Sequence, residues 1–439
     1  PRIRAVARGA TTLDFSLLPA TDEELAEVVV TARAIGADPM ASVGAVRLDR
    51  EQIRRSPGTA GDVLRGLDIL PGVASTGEFS QFAVRGNGQR DSLILVDGIP
   101  FDKVVHFSQS LGEQEDIGGG GRFSIFAPDI IASAEFQPGG WRAAQGGRNG
   151  SLLQLELAGG NPASATARAQ LDLAGIELGY EGPSGVRDDT TLFVSARSLD
   201  FERLFETLDN EDVGAPSLTD LIAKLVSEPG TRHRFEVLAI HTTEDYTRDV
   251  DNVLASEDFQ DTSLARNGQD STLLGFTWKW IPGERAQLRN TLYLRDSDKL
   301  SRLGEAFPDL VAPGTAAAQV PRRADILSLA EAEREVGWRL DFSDVLESGD
   351  AYAFGARLSR TELDLETRLA GDWIRYVYDR DDFRPDPAQR YIVLTPQRLD
   401  SSLQDAATDA ALAAAYTWQL GAVGVTPGLR DDYQRFAGE

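Results

Sequence analysis

The sequence predicts a mixed α+β, glycine-rich domain followed by an antiparallel transmembrane β-barrel, with roughly eleven barrel strands in this chain. Three observations carry that prediction. From residue 161 onward, short segments alternate apolar and polar residues, and helical periodicity largely vanishes. The connections between those segments alternate in length, short at one end and long at the other. Four of the tryptophans, Trp278, Trp280, Trp338 and Trp418, lie a few residues before short connections or close by, as a girdle at one membrane interface would require.

The alternation is read directly from the residues. Ala165, Ala167, Ala169, Leu171 and Leu173 interleave with Thr166, Arg168, Gln170 and Asp172. Leu274, Phe276, Trp278 and Trp280 flank Gly275, Thr277 and Lys279, and Leu292 and Leu294 flank Thr291, Tyr293 and Arg295. This pattern puts apolar groups on one sheet face and polar groups on the other. Short connections fall near 182–189, 228–232, 281–284, 347–350 and 421–422, most with Pro or Gly turn chemistry. Longer polar stretches cover about 200–217, 244–267, 296–325 and 369–408, and the tight Ala174-Gly175 connection breaks the rhythm. In a membrane, Arg168, Arg197, Lys224, Lys279, Arg289 and Arg295 must face the lumen. On the lipid face near the midplane each would cost about 2–4 kcal/mol.

Ahead of the strands lie three shorter zones. Residues 1–19 read as the end of a small β-domain, with alternation over Thr12-Leu13-Asp14-Phe15-Ser16-Leu17. Residues 20–32 are a linker carrying an acidic stretch and then Glu27-Val28-Val29-Val30-Thr31-Ala32. That β-prone segment is either the first strand of the next domain or an edge that pairs with another protein. Residues 33–160 form the glycine-rich domain. A short capped helix is expected over Leu48–Ser56 and another over Asp62–Leu67. Strands are expected at Val84-Arg85-Gly86, at Leu93–Val96 ahead of an Asp97-Gly98 turn, and at Leu152–Leu157. The Gly118–Gly121 run lacks a following Lys-Ser/Thr and a strand–helix frame, so it reads as a loop rather than a phosphate cradle.

Composition narrows the chemistry. A formal net charge of −25 argues against nucleic-acid binding, which needs a basic surface, but identifies no ligand. The absence of cysteine excludes disulfides, thiolate metal sites and Cys nucleophiles. With His106, His233 and His241 the only histidines, a His-based metal centre is not expected, nor is any cofactor. No convergent acid–base or metal cluster points to an enzyme. No run reaches the ~18–20 apolar residues of a membrane helix, which leaves crossing by strands open. The opening at Pro1 carries no signal peptide and reads as mid-domain.

Four stretches in order then resemble the plug of TonB-dependent outer-membrane transporters. Glu27-Val28-Val29-Val30-Thr31-Ala32 is similar to a TonB box, and Ile69-Leu70-Pro71-Gly72-Val73 to the LPGV element. Phe82-Ala83-Val84-Arg85-Gly86 through Asp97-Gly98-Ile99-Pro100 resembles the VRG…DG.P core. Pro128-Asp129-Ile130-Ile131 through Gly139-Gly140 and Gln145-Gly146-Gly147 resembles the closing strand and turn. Gln145 departs from the family's aromatic, and Leu155-Glu156-Leu157-Ala158 from its polar strand ending. Residues 1–19 resemble the last strand of a carboxypeptidase-regulatory-like domain.

The resemblance implies a plug at 33–160 inside a 22-stranded barrel, whose first half is 161–439. A half-barrel leaves unpaired edges in hydrocarbon, so the sequence is expected to be a fragment. Its ending, Phe436-Ala437-Gly438-Glu439, is not a terminal aromatic strand.

By resemblance, the parent protein imports a scarce ligand, a siderophore, glycan or similar, across the outer membrane of a Gram-negative bacterium. Its plug faces the periplasm and its long loops lie outside. The alternative is a receptor or sensor barrel that binds without transport. Implied partners are TonB with its inner-membrane energising complex, outer-membrane lipid, the unidentified ligand and a surface lipoprotein. Residues 27–32 would pair with TonB. Plug loops carrying Phe79, Gln81, Phe101, Asp102, His106 and Phe107 would face the ligand, although His106 and Phe107 fit ordinary loop packing equally. Arg85 and Glu135 would bond the plug to the barrel wall or to each other.

Overall fold

In the plug, β1 (Val46–Asp49) runs straight into helix α1 (Arg50–Arg55). Asp49 sets the junction: its Oδ1 accepts the Gln52 N–H at 2.8 Å, and Gln52 Oε1 accepts the Asp49 N–H at 2.8 Å. This reciprocal cap satisfies two donors that a helix start leaves open. A 3-10 turn covers Arg65–Ile69. β2 (Leu93–Val96) is buried along its whole length, as its unbroken Leu-Ile-Leu-Val requires. It turns through Asp97 (φ 50°) and Gly98 (φ 85°) into β3 (Ile99–Pro100). Two consecutive left-handed residues make the tight hairpin turn that Asp-Gly favours. β4 (Ile131–Gln137) and β5 (Leu152–Leu157) complete a sheet of order β1-β4-β5-β2-β3, in which only β2 and β5 run parallel.

A computed structural model describes residues 44–55, 62, 64–70, 72–74, 80, 82–107, 123–127, 129–171, 173–208, 211–256, 262–371, 375–378, 390–394, 397–421 and 423–436. The expected β-domain tail, the linker with residues 27–32, the Gly118–Gly121 loop, Phe79 and Gln81 lie outside the described residues.

The barrel wall begins with β6 (Thr166–Leu171), β7 (Gly175–Pro183), β8 (Thr190–Asp200), β9 (Ala215–Ser227) and β10 (His233–Arg248). It continues with β11 (Ser263–Trp280), β12 (Gln287–Ala306), β13 (Arg322–Val345), β14 (Ala351–Leu369) and β15 (Leu399–Leu420). Each pairs antiparallel with the next in sequence. Val423–Val425 and β16 (Gly428–Phe436) both pair with β15, giving a 12-stranded open sheet. Pro427 has no N–H to continue the ladder, so these two pieces are one interrupted barrel strand. The sheet thus has the eleven barrel strands expected.

Side-chain alternation puts Leu274, Phe276, Leu292, Val336, Phe354 and Leu412 on the outer face, all exposed, while Leu273, Thr277, Thr291 and Tyr293 point inward and are buried. The core is shared. Ile94, Val96, Phe136 and Leu155 of the plug form one cluster with Phe193, Ile222, Leu238, Leu273 and Tyr293 of the wall. The plug's apolar face is therefore completed by the inner surface of the sheet.

One expectation is corrected. The polar stretches 296–306, 322–325 and 399–408 are strand, and β12 and β13 run 20 and 24 residues. A tilted strand needs about 9–11 residues to span the apolar layer. Beyond that layer both strand faces are wet, so polarity cannot separate strand from loop.

The aromatic girdle sits at the short-connection ends. His233 stacks on Trp278 and Trp280 with ring centroids 6.1 and 6.3 Å apart, beside Phe235. Tyr352 meets Phe342 and Phe354, and Tyr416 meets Trp418. Trp338 stands further up its strand and donates to Asn290 Oδ1 at 2.8 Å.

Candidate functional site

The chemistry on display is the interface between plug and wall. All six cations assigned to the lumen point there. Lys224 Nζ lies 2.9 Å from Asp97 Oδ2 and donates to the Leu157 carbonyl at 3.1 Å. Asp97 Oδ1 accepts the Leu157 N–H at 3.1 Å, so one wall lysine staples the β2–β3 turn to β5. Arg289 lies over Gly98, and Arg339 donates to the Gly98 carbonyl at 3.4 Å. Arg295 reaches Asp102 at 3.4 Å, Glu333 at 3.0 Å and Glu335, which also accepts from the Tyr293 hydroxyl at 2.6 Å. Arg197 pairs with Asp220, Lys279 with Glu236 at 2.8 Å, and Arg168 with plug Asp129. Charges this deep persist only when paired, because desolvation of a lone ion costs several kcal/mol.

Shape adds to charge. A Cβ built on Gly275 of β11 would land on Cδ1 of plug Ile99. Gly355 and Gly428 receive plug Ala144 and Ala143 in the same way, and Arg430 donates to both alanine carbonyls at 3.0 and 3.2 Å. These wall glycines are sockets for plug side chains.

The predicted plug-loop residues separate. Phe101 is buried, its N–H bonded to the Ile94 carbonyl at 3.0 Å. His106 is buried with both ring nitrogens on wall carboxylates: Nε2 is 2.7 Å from Asp220 Oδ1 and Nδ1 is 3.0 Å from Glu244 Oε2. Phe107 donates its N–H to Glu244 Oε2 at 2.8 Å. Its ring meets Phe123, which stacks on Phe201 at 4.9 Å, within a cluster that includes Leu218 and Tyr246. Phe101, His106 and Phe107, expected to face the ligand, are thus placed in packed positions against the plug and the wall. The Val104-Val105-His106-Phe107 run is a seat on the wall, and burial leaves it no free surface. Asp102, with Phe101 beside it, lines a cavity of about 590 Å³, lined also by Arg148, Arg295, Glu335, Arg357 and Arg430.

Arg85 and Glu135, expected to bond the plug to the wall or to each other, lie against plug residues here. Arg85, at φ 51°, extends over Gly72 and Gly139 of the plug itself. Glu135 accepts from plug Gln137 at 2.6 Å. The plug's ion pairs with the wall strands described run through Arg50 (to Glu181, 3.2 Å), Asp97, Asp102, Lys103 (to Glu333, 3.8 Å), His106 and Asp129. Of these, Asp97 and Asp129 stand inside the motifs already singled out, which was the available signal. Arg50 and Lys103 carried none. Among the described residues, no group of three or more His, Asp or Glu is arranged to hold a metal ion.

Residues 38–151 match the family model of the TonB-dependent receptor plug domain. No curated protein matches the chain. The pyoverdine outer-membrane receptor FpvA of Pseudomonas aeruginosa PAO1 is similar with a TM-score of 0.60 at 13% identity, over 91% of this chain and 57% of that one. The ferric-catecholate import receptor Fiu of Escherichia coli K12 gives 0.57 at 14% identity, over 91% and 61%. The outer-membrane transporter YddB of E. coli gives 0.56 at 12% identity, over 89% and 56%. The chain thus spans a little over half the length of the solved structures it matches. It carries a TonB-dependent receptor plug domain seated against the antiparallel wall of the TonB-dependent outer-membrane transporter fold.

Proposed function

We propose that this chain is the plug and the first half of the barrel of an outer-membrane importer energised through TonB. The observation that carries the reading is the plug's attachment. Paired charges and a shared apolar core hold the plug against the inner face of the wall, so a solute passes only if the plug moves. Moving it takes work, and a transmembrane potential supplies about 2.3 kcal/mol per charge per 100 mV. Residues 27–32 are the handle, pairing with TonB by strand addition. The long loops lie outside the cell, and the aromatic girdle marks the periplasmic rim. Asp102 and its cavity lie on the ligand's route; the ligand is of the scarce, large class that includes ferric siderophores and glycans.

Cells producing the full-length protein, with and without residues 27–32, are compared on a panel of ferric siderophores and glycans, each as sole iron or carbon source. Growth that requires both those residues and TonB is the expected result. Growth on a panel member that survives the deletion overturns the import mechanism. Binding of a panel member without any growth identifies a receptor that does not transport and likewise overturns import.

A further inference from the structure

His106 differs in kind from the other plug–wall contacts. Of the side-chain types at these contacts, imidazole is the one whose ordinary pKa lies between pH 6 and 9. The ring is 2% exposed and has a wall carboxylate at bonding distance from each nitrogen. A carboxylate only accepts, and a neutral imidazole carries a single N–H. Both bonds exist together only when the ring is protonated. A neutral ring turns one lone pair onto a carboxylate oxygen about 3 Å away, a separation too short for a bridging donor to fit between the two acceptors.

The surrounding groups support a protonated ring. On β9, Asp220 shares its second oxygen with Arg197 of β8 at 2.9 Å, and Arg197 also donates to the plug's Ser124 carbonyl at 2.7 Å. On β10, Glu244 takes the Phe107 N–H as well as the ring. Lys299 of β12 is the further cation in electrostatic contact with Glu244, and Lys103 is the nearby cation on the plug loop, itself drawn to Glu333. Burial by itself would drive the ring to the neutral form. The hydrogen bonds and charges of Asp220 and Glu244 overcome that, holding its pKa at about 8 against an ordinary 6.5.

We propose that His106 is a proton-operated latch: the protonated ring fastens the plug segment Val105–Phe107 to β9 and β10, and loss of the proton loosens that segment from the wall. The loosened part is confined. Among the described residues, Val105–His106 pairs only with Phe123–Ser124, and the Phe107–Phe123–Phe201 stack lies beside it. The Lys224–Asp97 staple holds the β2–β3 turn through a separate contact. The latch is fully closed below pH 6.5, where even a free imidazole is protonated. It opens as pH rises through about 8, and the total change in latch strength is about thirtyfold at tenfold per unit. The latch does not depend on the import reading, since it titrates whether or not the protein transports.

The test is hydrogen exchange by mass spectrometry on the full-length protein in detergent micelles, from pH 6 to 9.5, without TonB or ligand and with intrinsic exchange rates divided out. Protection of peptides covering 104–107 and 123–127 is expected to fall about thirtyfold through pH 8, while Leu93–Val96 stays protected. His106→Gln is expected to give low protection and no pH step, and the wall pair Asp220→Asn with Glu244→Gln also gives no step. Flat protection in the wild type overturns the proposal without reference to any variant. So does a step that survives His106→Gln.

Discussion

Replacing Lys224 with methionine tests how firmly a single wall residue holds the plug. Lys224 and Asp97 are 3% and 7% exposed, and their 2.9 Å ion pair joins β9 to the β2–β3 turn. Asp97 Oδ2 has no hydrogen-bond partner, so it relies on that cation alone. Methionine fills most of the lysine's volume but leaves the carboxylate buried and unpaired. Breaking a buried pair from one side costs about 3–5 kcal/mol. In the full-length protein at fixed pH, that loss is read as faster hydrogen exchange of the Leu93–Val96 and Leu152–Leu157 amides. At about 1.4 kcal/mol per factor of ten, exchange should rise by two to four powers of ten. Asp97→Asn leaves the opposite orphan, a buried ammonium, and should cost a comparable amount. The double variant removes both charges and should cost about 0.5–3 kcal/mol less than the sum of the singles. A rise of less than tenfold in Lys224→Met, or strict additivity in the double variant, would refute the stapling argument.

Two further outcomes test the shape of the interface and the orientation of the wall. Gly275→Val places methyl groups where Ile99 sits and should destabilise plug docking by about 1–3 kcal/mol, with Ile99→Ala in the same protein restoring most of it; exchange of the β2 amides reports both. Leu292, 53% exposed on the outer face, should tolerate Phe but lose about 2–4 kcal/mol as Arg, measured by urea unfolding of the full-length protein in lipid vesicles. Equal stability of Leu292→Arg and Leu292→Phe would mean that this face does not meet lipid.

Much of the plug was legible because its signals are local. Asp97-Gly98 demands a left-handed turn wherever it occurs, and Asp49 with Gln52 caps a helix within four residues. The wall was legible because a period of two, repeated down many strands, fixes which face each residue takes, and the charge penalty fixes which face meets lipid. The expected assignment failed where polarity carried no information. Strands β12 and β13 rise past the apolar layer into water on both faces, so their outer halves looked like loops.

The site was less legible, because partners across the plug–wall interface are distant in sequence. His106 lies 114 residues from Asp220 and 138 from Glu244. Nothing near His106 distinguishes a buried latch from an exposed loop tip, and an apolar Val-Val-His-Phe run suits either. Arg85 and Glu135 stood out as charged residues on plug strands, yet Arg85 lies over two plug glycines and Glu135 bonds to its own strand.

By itself, the sequence determined a plug-like domain with its turns and caps, followed by strands with one face for lipid and one for the lumen. These depend on spacings of two to four residues and on the cost of placing charge in hydrocarbon. Only the tertiary structure decided which lumen cation meets which plug carboxylate, which wall glycines receive the plug, and that His106 sits between two acceptors. Those pairings depend on strand register and on the plug's placement against the wall, set by the summed packing of a shared core and recorded in no local stretch of residues.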